Sequence, residues 1–344
     1  MHIVKPSTKK ELQNLINNTV AEAIKHSKDV VDLNFIDTSN ITNMSDLFGK
    51  CKHEISIDIS NWDMSNVHST LCMFYGSKFK SVGDLSNWNV SKVRDMSSMF
   101  EGSKLASIGD LSKWNVSNVT SMSKLFAYSD LTDVGALSNW NVSKVEYMPF
   151  MFYDSKLTTA GDLSEWDVSS VSDMFKMFSK SRLINVGDLS RWNVSNVEDM
   201  SDMFAESELE NVGSLSDWNV SKVRNMTNMF NSSKLESVGD LSNWNVSNIT
   251  KMTYMFKDSI LTNIGDLLKW DTSNVKSVGN IFKGSKLGDI FTVKSGRICM
   301  IVTPESSDTD YETLLEKYRD KLPKAVLDSG DKDLISQVIK GLPH

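Results

Sequence analysis

Cysteine is scarce: three residues in 344, at Cys51, Cys72 and Cys299. Three thiols cannot build a disulfide framework, so a reducing compartment is expected. Histidine is equally thin, and His2, His26, His53, His68 and His344 show no metal-ligand spacing. There is no P-loop and no dinucleotide fingerprint. No stretch approaches the ~18 uninterrupted apolar residues of a membrane helix. The first residues, Met-His-Ile-Val-Lys-Pro-Ser, contain no apolar run of signal-peptide type and no lipobox cysteine. The formal charge of −7 argues against nucleic acid as a general partner, since phosphate binding needs clustered Lys and Arg. These absences predict a cytoplasmic, non-enzymatic protein with no cofactor, no bound metal and no membrane insertion.

What the chain does have is a period. Its nine tryptophans are Trp62, Trp88, Trp114, Trp140, Trp166, Trp192, Trp218, Trp244 and Trp270, and the interval from the first to the second recurs without exception. With Trp as position 0, the unit reads W-[ND]-V-S-x-V-x-x-M-x-x-M-F-x-x-S-x-L-x-x-[VI]-G-D-L-S-x. A further copy starts at Ile36, which makes ten. A unit this small cannot bury its own apolar side chains, but stacked units bury them against each other, which predicts a solenoid.

The grammar inside the unit suggests the elements. Trp88 and Val90 lie two apart and would share one face of a short strand. Val93, Met96 and Phe100 have helical spacing, with Ser91 placed as an N-cap. Ser143 with Glu146 and Ser195 with Glu198 have the form of capping boxes. Gly109-Asp110 reads as a turn closing the coil. The expected fold is therefore α/β: a leucine-rich-repeat-like solenoid. A parallel sheet of about ten short strands would lie opposite short helices or 3₁₀ segments. Residues 1–31 would form a helical cap, with Ser7 as its N-cap, and 32–290 the ten coils. Residues 291–344 would form a mixed cap of a hairpin plus helices at 310–322 and 331–340.

The segment Trp114-Asn-Val-Ser-Asn-Val-Thr-Ser-Met-Ser, with the Val-x-x-Met-x-x-Met-Phe order around it, resembles the BspA-like leucine-rich repeats of bacterial surface proteins. The resemblance covers about residues 32–288. It implies a leucine-rich-repeat-like solenoid with a binding or adhesion role. The chain departs from the family in lacking a visible export signal. It also has serine, as at Ser103 and Ser129, where the family often has cysteine.

Several columns invite chemistry. An exposed Trp strip would stack on sugars, but nine bare indoles would form a large apolar patch, so a core position is expected. The Met and Phe columns are expected in the core as well. Position +1, always Asp or Asn, would face outward and form an amide ladder from coil to coil. The Asp column at +22, including Asp84 and Asp110, reads as a turn former. Sequons such as Asn115-Val-Ser would place glycans on the sheet, which argues against a eukaryotic secretory origin and favours a bacterial one.

The outward positions vary from copy to copy. The copy from Trp192 holds Glu198, Asp199, Asp202, Glu206, Glu208 and Glu210 and no basic residue, while Lys222 and Arg224 follow in the next. Such a stripe would steer a charged partner. The expected function is a monomeric scaffold that binds another protein through variable exterior positions. The alternatives are a surface adhesin for host protein or glycan, and a small enzymatic or interaction domain in the C-terminal part.

Overall fold

The computed structural model describes residues 3–294 and 297–300, and beyond them 315–316, 319, 322–328 and 335. Helix α1 spans Lys9–Lys25. Thr8, rather than Ser7, caps it: the Thr8 hydroxyl accepts from Glu11 N–H at 3.2 Å, and the Glu11 carboxylate accepts from Ser7 N–H at 2.8 Å. Leu12, Ile16, Val20 and Ala23 form its buried stripe. Strand β1 (Val30–Asp32) pairs in parallel with β2 (Ser56–Asp58). The repeat coils follow. Strands β3 (Phe291–Lys294) and β4 (Arg297–Met300) then form an antiparallel pair, as the sequence suggested. Helix α2 spans Lys324–Asp328. The helix expected at 331–340, and most of that expected at 310–322, lie outside the described residues.

The chain is a repeat solenoid, and its interior is built from the columns the period singles out. Trp62 through Trp244 are each 3% exposed and Trp270 is 6% exposed, so the indoles are interior. Every indole N–H has a partner. Trp114 Nε1 donates to Leu85 O at 3.0 Å, and the same relation recurs in all nine copies at 2.8–3.2 Å. Leu85 O also accepts Trp88 N–H at 3.0 Å, so one carbonyl ties its own coil to the next. The phenylalanines Phe48, Phe74, Phe100 and their successors to Phe282 form one continuous stack, with neighbouring centroids 5.4–5.9 Å apart.

The ten-stranded parallel sheet is not formed. Among the described residues there are two two-stranded sheets, and the coils are joined by isolated parallel bridges. Trp88 and Val90 are both buried, but the segment is a turn. Trp88 N–H closes onto Leu85 O, and Ser91 N–H donates to Asn89 Oδ1 at 3.2 Å. Donors satisfied locally cannot also pair with a neighbouring coil. Four 3₁₀ turns lie among the described residues: Leu137–Asn139, Leu189–Arg191 and Leu267–Lys269, each immediately before a Trp, and Lys286–Asp289.

The expected helix after Val93 is also absent. Alternate N–H groups reach the next coil: Met96 to Ser121 O at 3.0 Å, Ser98 to Ser123 O at 2.8 Å, Phe100 to Leu125 O at 3.0 Å and Gly102 to Ala127 O at 2.8 Å. The intervening ones fold back, as Met99 N–H does to Met96 O at 3.2 Å. Ser98 has φ 56 and its counterparts in other coils match it. A left-handed residue at the third position of a tight turn produces this alternation and prevents a helix. Without a helix the capping boxes dissolve. Ser143 N–H donates to Asn141 Oδ1 at 3.1 Å, and Glu146 N–H to Thr120 O at 2.8 Å.

The two polar columns resolve differently. The +1 residues are Asx-turn formers, not an amide ladder: Asn115, Asn193 and Asn245 each accept from the N–H two residues on. The amide rungs lie at +4 instead. There Asn118 Nδ2 donates to Ser91 O at 2.9 Å, and Asn196 Nδ2 to Ser169 O at 2.7 Å. The +22 aspartates do form turns, as Asp110 does by accepting from Ser112 N–H at 2.8 Å. Gly109, just before it, has φ 87.

Candidate interaction face

The run from +7 to +14 carries the inter-coil backbone bonds and also the most varied side chains. Within it, the side chains at +8, +11 and +12 point inward, in most coils as Met, Met or Leu, and Phe. Those at +7, +9, +10 and +14 lie towards the outside, whereas +13 is buried in most coils, as at Ala127, Ser179 and Ala205. Bridges join the +7 column from Asn43 through Ser69, Asp95, Ser121, Tyr147, Asp173, Asp199 and Asn225 to Lys251 and Ser277. Bridged residues of successive coils are therefore direct neighbours.

At +7, +9 and +10 most residues are Ser, Thr, Asn or Asp. One stretch differs. Tyr128, Phe150, Tyr153 and Phe175 are in ring contact on adjacent coils, and Tyr147 stands in the +7 column of the same coil as Phe150. Phe150 meets Phe175 edge-on at 4.8 Å and Tyr153 at 5.3 Å, and Tyr153 meets Tyr128 at 5.0 Å. Lys124 lies 5.5 Å over Phe150, and Lys176 lies 5.2 Å over Phe175 and 5.8 Å over Phe150. Tyr128 and Tyr147 are 47% and 48% exposed, among the most exposed large side chains in the solenoid.

Pro149 shows how the backbone tolerates this change. In most other coils the +9 N–H donates to the +7 side chain, as Ser97 does to Asp95 and Phe175 to Asp173, both at 2.9 Å. Tyr147 offers no such acceptor at that place, and Pro149 has no donor to satisfy. The Pro149 carbonyl still accepts Lys124 N–H at 2.8 Å, so the inter-coil bond persists.

Carboxylates adjoin the rings. Asp173 follows Tyr147 in the bridge column, Asp199 follows Asp173, and Asp202 lies in the +10 column after Lys176. Burial, together with the nearby Asp199 charge, pushes the Asp173 carboxyl up from its ordinary value against the lowering bond from Phe175 N–H. Burial likewise raises Asp202, with Asp199 and Glu206 adding to it and Lys176 opposing. Tyr153 is pushed up to about 12 by burial and by Tyr128 beside it. Among the described residues no ion pair within 4.0 Å involves Asp173, Asp199 or Asp202.

The stripe singled out from sequence is distributed over more than this face. Asp199, Asp202 and Glu206 lie on it. Glu198, Lys222 and Arg224 line a shallow groove of about 440 Å³ on the adjoining columns, with Asn248, Thr250, Asn274 and Lys276. Three of the stripe's acids are paired: Glu198 with Arg224 at 3.9 Å, Glu206 with Lys180 at 3.7 Å and Glu208 with Lys234 at 3.6 Å. Glu210 is exposed beyond Glu208. The aromatic cluster was absent from the sequence reading, although its signal is plain: five rings and a proline at positions that are polar in most copies.

Constant inward columns, coil-to-coil bonding and an outer face of changing chemistry define a repeat solenoid. The chain belongs to the family described as Mycoplasma protein of unknown function, DUF285, whose model matches residues 15–132, 102–212, 127–235 and 206–288. No curated protein and no solved structure matches it.

Proposed function

We propose that the protein is a non-enzymatic scaffold, a leucine-rich-repeat-like solenoid that binds another protein through its variable exterior. The carrying observation is the division of labour within each coil. The inward residues repeat, whereas the outward residues of the +7 to +14 run change without altering the inter-coil bonds. A rigid backbone that tolerates any outward side chain is suited to presenting a partner-specific surface. The three cysteines are free thiols, which suits a reducing compartment. We place the protein in the cytoplasm on that ground, and its recovery on the outer cell surface would reverse this assignment.

The scaffold reading is tested by affinity capture from source cells with the intact protein. A second bait carries serine at the outward +7, +9 and +10 positions of the coils from Trp114 to Asp217. The expected result is a stoichiometric partner retained by the first and lost by the second. Equal capture by both baits, or none by either, overturns the reading.

A further inference from the structure

We propose that the aromatic patch around Tyr147 and Phe175 is the docking site for a basic segment of a partner protein, one that presents arginine or lysine beside an apolar side chain. This rests on the scaffold reading and names the partner's chemistry.

The patch is an unpartnered part of the face. Its rings are not needed for the coil, because other coils place serine at the same positions: Ser121 in the column of Tyr147, Ser98 in that of Phe150, and Ser97 in that of Phe175. Half-exposed tyrosines on a fixed backbone are the kind of anchor that carries binding energy at protein interfaces.

Charge selects the occupant. Between the coils of Trp114 and Trp192, the outward positions from +7 to +14 hold five carboxylates and three lysines. Lys180 is engaged with Glu206, while Lys124 and Lys176 already lie over ring faces. Asp173, Asp199 and Asp202 are left without an ion-pair partner within 4.0 Å among the described residues, and burial, with the Asp199 charge adding to it, raises the proton affinity of Asp173 and Asp202. A guanidinium placed over Tyr147 would lie beside Asp173, its bridged neighbour, with Asp199 one coil further along the same column. It would combine ring contact with charge-assisted hydrogen bonds. An apolar neighbour on the partner would pack on Pro149, two residues along from Tyr147. The ring arrangement is unsuited to a sugar: the rings meet edge-on, and lysine ammonium groups lie over Phe150. An anionic partner would meet the carboxylates.

The test uses the full chain and a short labelled peptide of repeating Arg-Leu-Ser, titrated by fluorescence anisotropy at near-physiological salt. Two controls accompany it: the same peptide with glutamate for arginine, and an unlabelled neutral oligosaccharide as competitor. Tyr147→Ser with Phe175→Ser, and separately Asp173→Ser with Asp199→Ser, introduce residues the coil uses elsewhere. Thermal melting verifies that each variant is folded. The expected result is saturable binding of the basic peptide, weakened roughly tenfold or more by each pair. Neither the glutamate peptide nor the oligosaccharide should act. Binding unchanged in either variant pair, no binding by the intact protein, or displacement by the oligosaccharide overturns the assignment. If peptide binding fails while the serine-reset bait still loses a cellular partner, the docking assignment falls and the scaffold reading stands.

Discussion

Each coil contains two regions that solve the same problem in opposite ways. The corner around Trp satisfies its backbone locally, through the Trp-to-Leu turn, the Asx turn at +1 and the indole bond to the preceding coil. The Asx turn and the indole bond each depend on a particular side chain, and the sequence there hardly changes. In the +7 to +14 run, alternate N–H groups donate to carbonyls of the next coil. Those bonds are indifferent to side chains, and Tyr, Phe, Pro, Lys and Asp all occur. Sequence freedom follows the source of the hydrogen bonds, not burial alone.

The largest effect separating the regions should come from Trp166→Ala. It opens a cavity and frees Leu137 O from an indole donor at 3.0 Å. A loss of about 3–5 kcal/mol in chemical denaturation is expected, and a value near zero would place the indole column outside the core. An intermediate effect of opposite sign is expected of Ser181→Ala. Its Oγ is among eight buried serine hydroxyls, from Ser77 to Ser259, that have no hydrogen-bond partner. Removing an unpartnered buried hydroxyl should stabilise by about 1 kcal/mol; a clear destabilisation would mean that the hydroxyl is engaged. Cys51 occupies the same column in the first coil, so the site accepts a less polar atom.

The smallest effect sharpens the comparison by pH. Asp173 has a raised folded-state pKa, so its ionised form is disfavoured in the fold. That cost is present at neutral pH, and stability recovers as pH falls through the folded value towards the unfolded one. Asp173→Asn should raise Tm by roughly a degree at pH 7, since the group is partly solvated, and the gain should vanish below about pH 4. Asn225 shows the column accepts asparagine, accepting from Thr227 N–H at 3.1 Å. A gain that persists in acid would point to packing rather than charge.

The period, the coil count and the interior columns were legible because burial repeats with the coil. The secondary structure was not. Val93, Met96 and Phe100 mimic a helical stripe, yet successive tight turns with a left-handed third residue bury the same spacing. Ser98, Lys124 and Asp202 adopt that conformation without a glycine to announce it. The acidic stripe was read along one copy, but spatial neighbours on this face are separated by a whole coil of chain. Tyr147 and Asp173 adjoin each other only after the chain is wrapped, and the aromatic cluster becomes visible only across copies.

The indole of each coil is always received by the coil before it, at a constant distance along the chain. Cutting out one whole unit therefore joins a donor to an equivalent acceptor, and inserting one does the same. Length is thus a quantity that adding or removing whole units can change without altering this bonding, and each such change shifts which surface chemistries stand side by side.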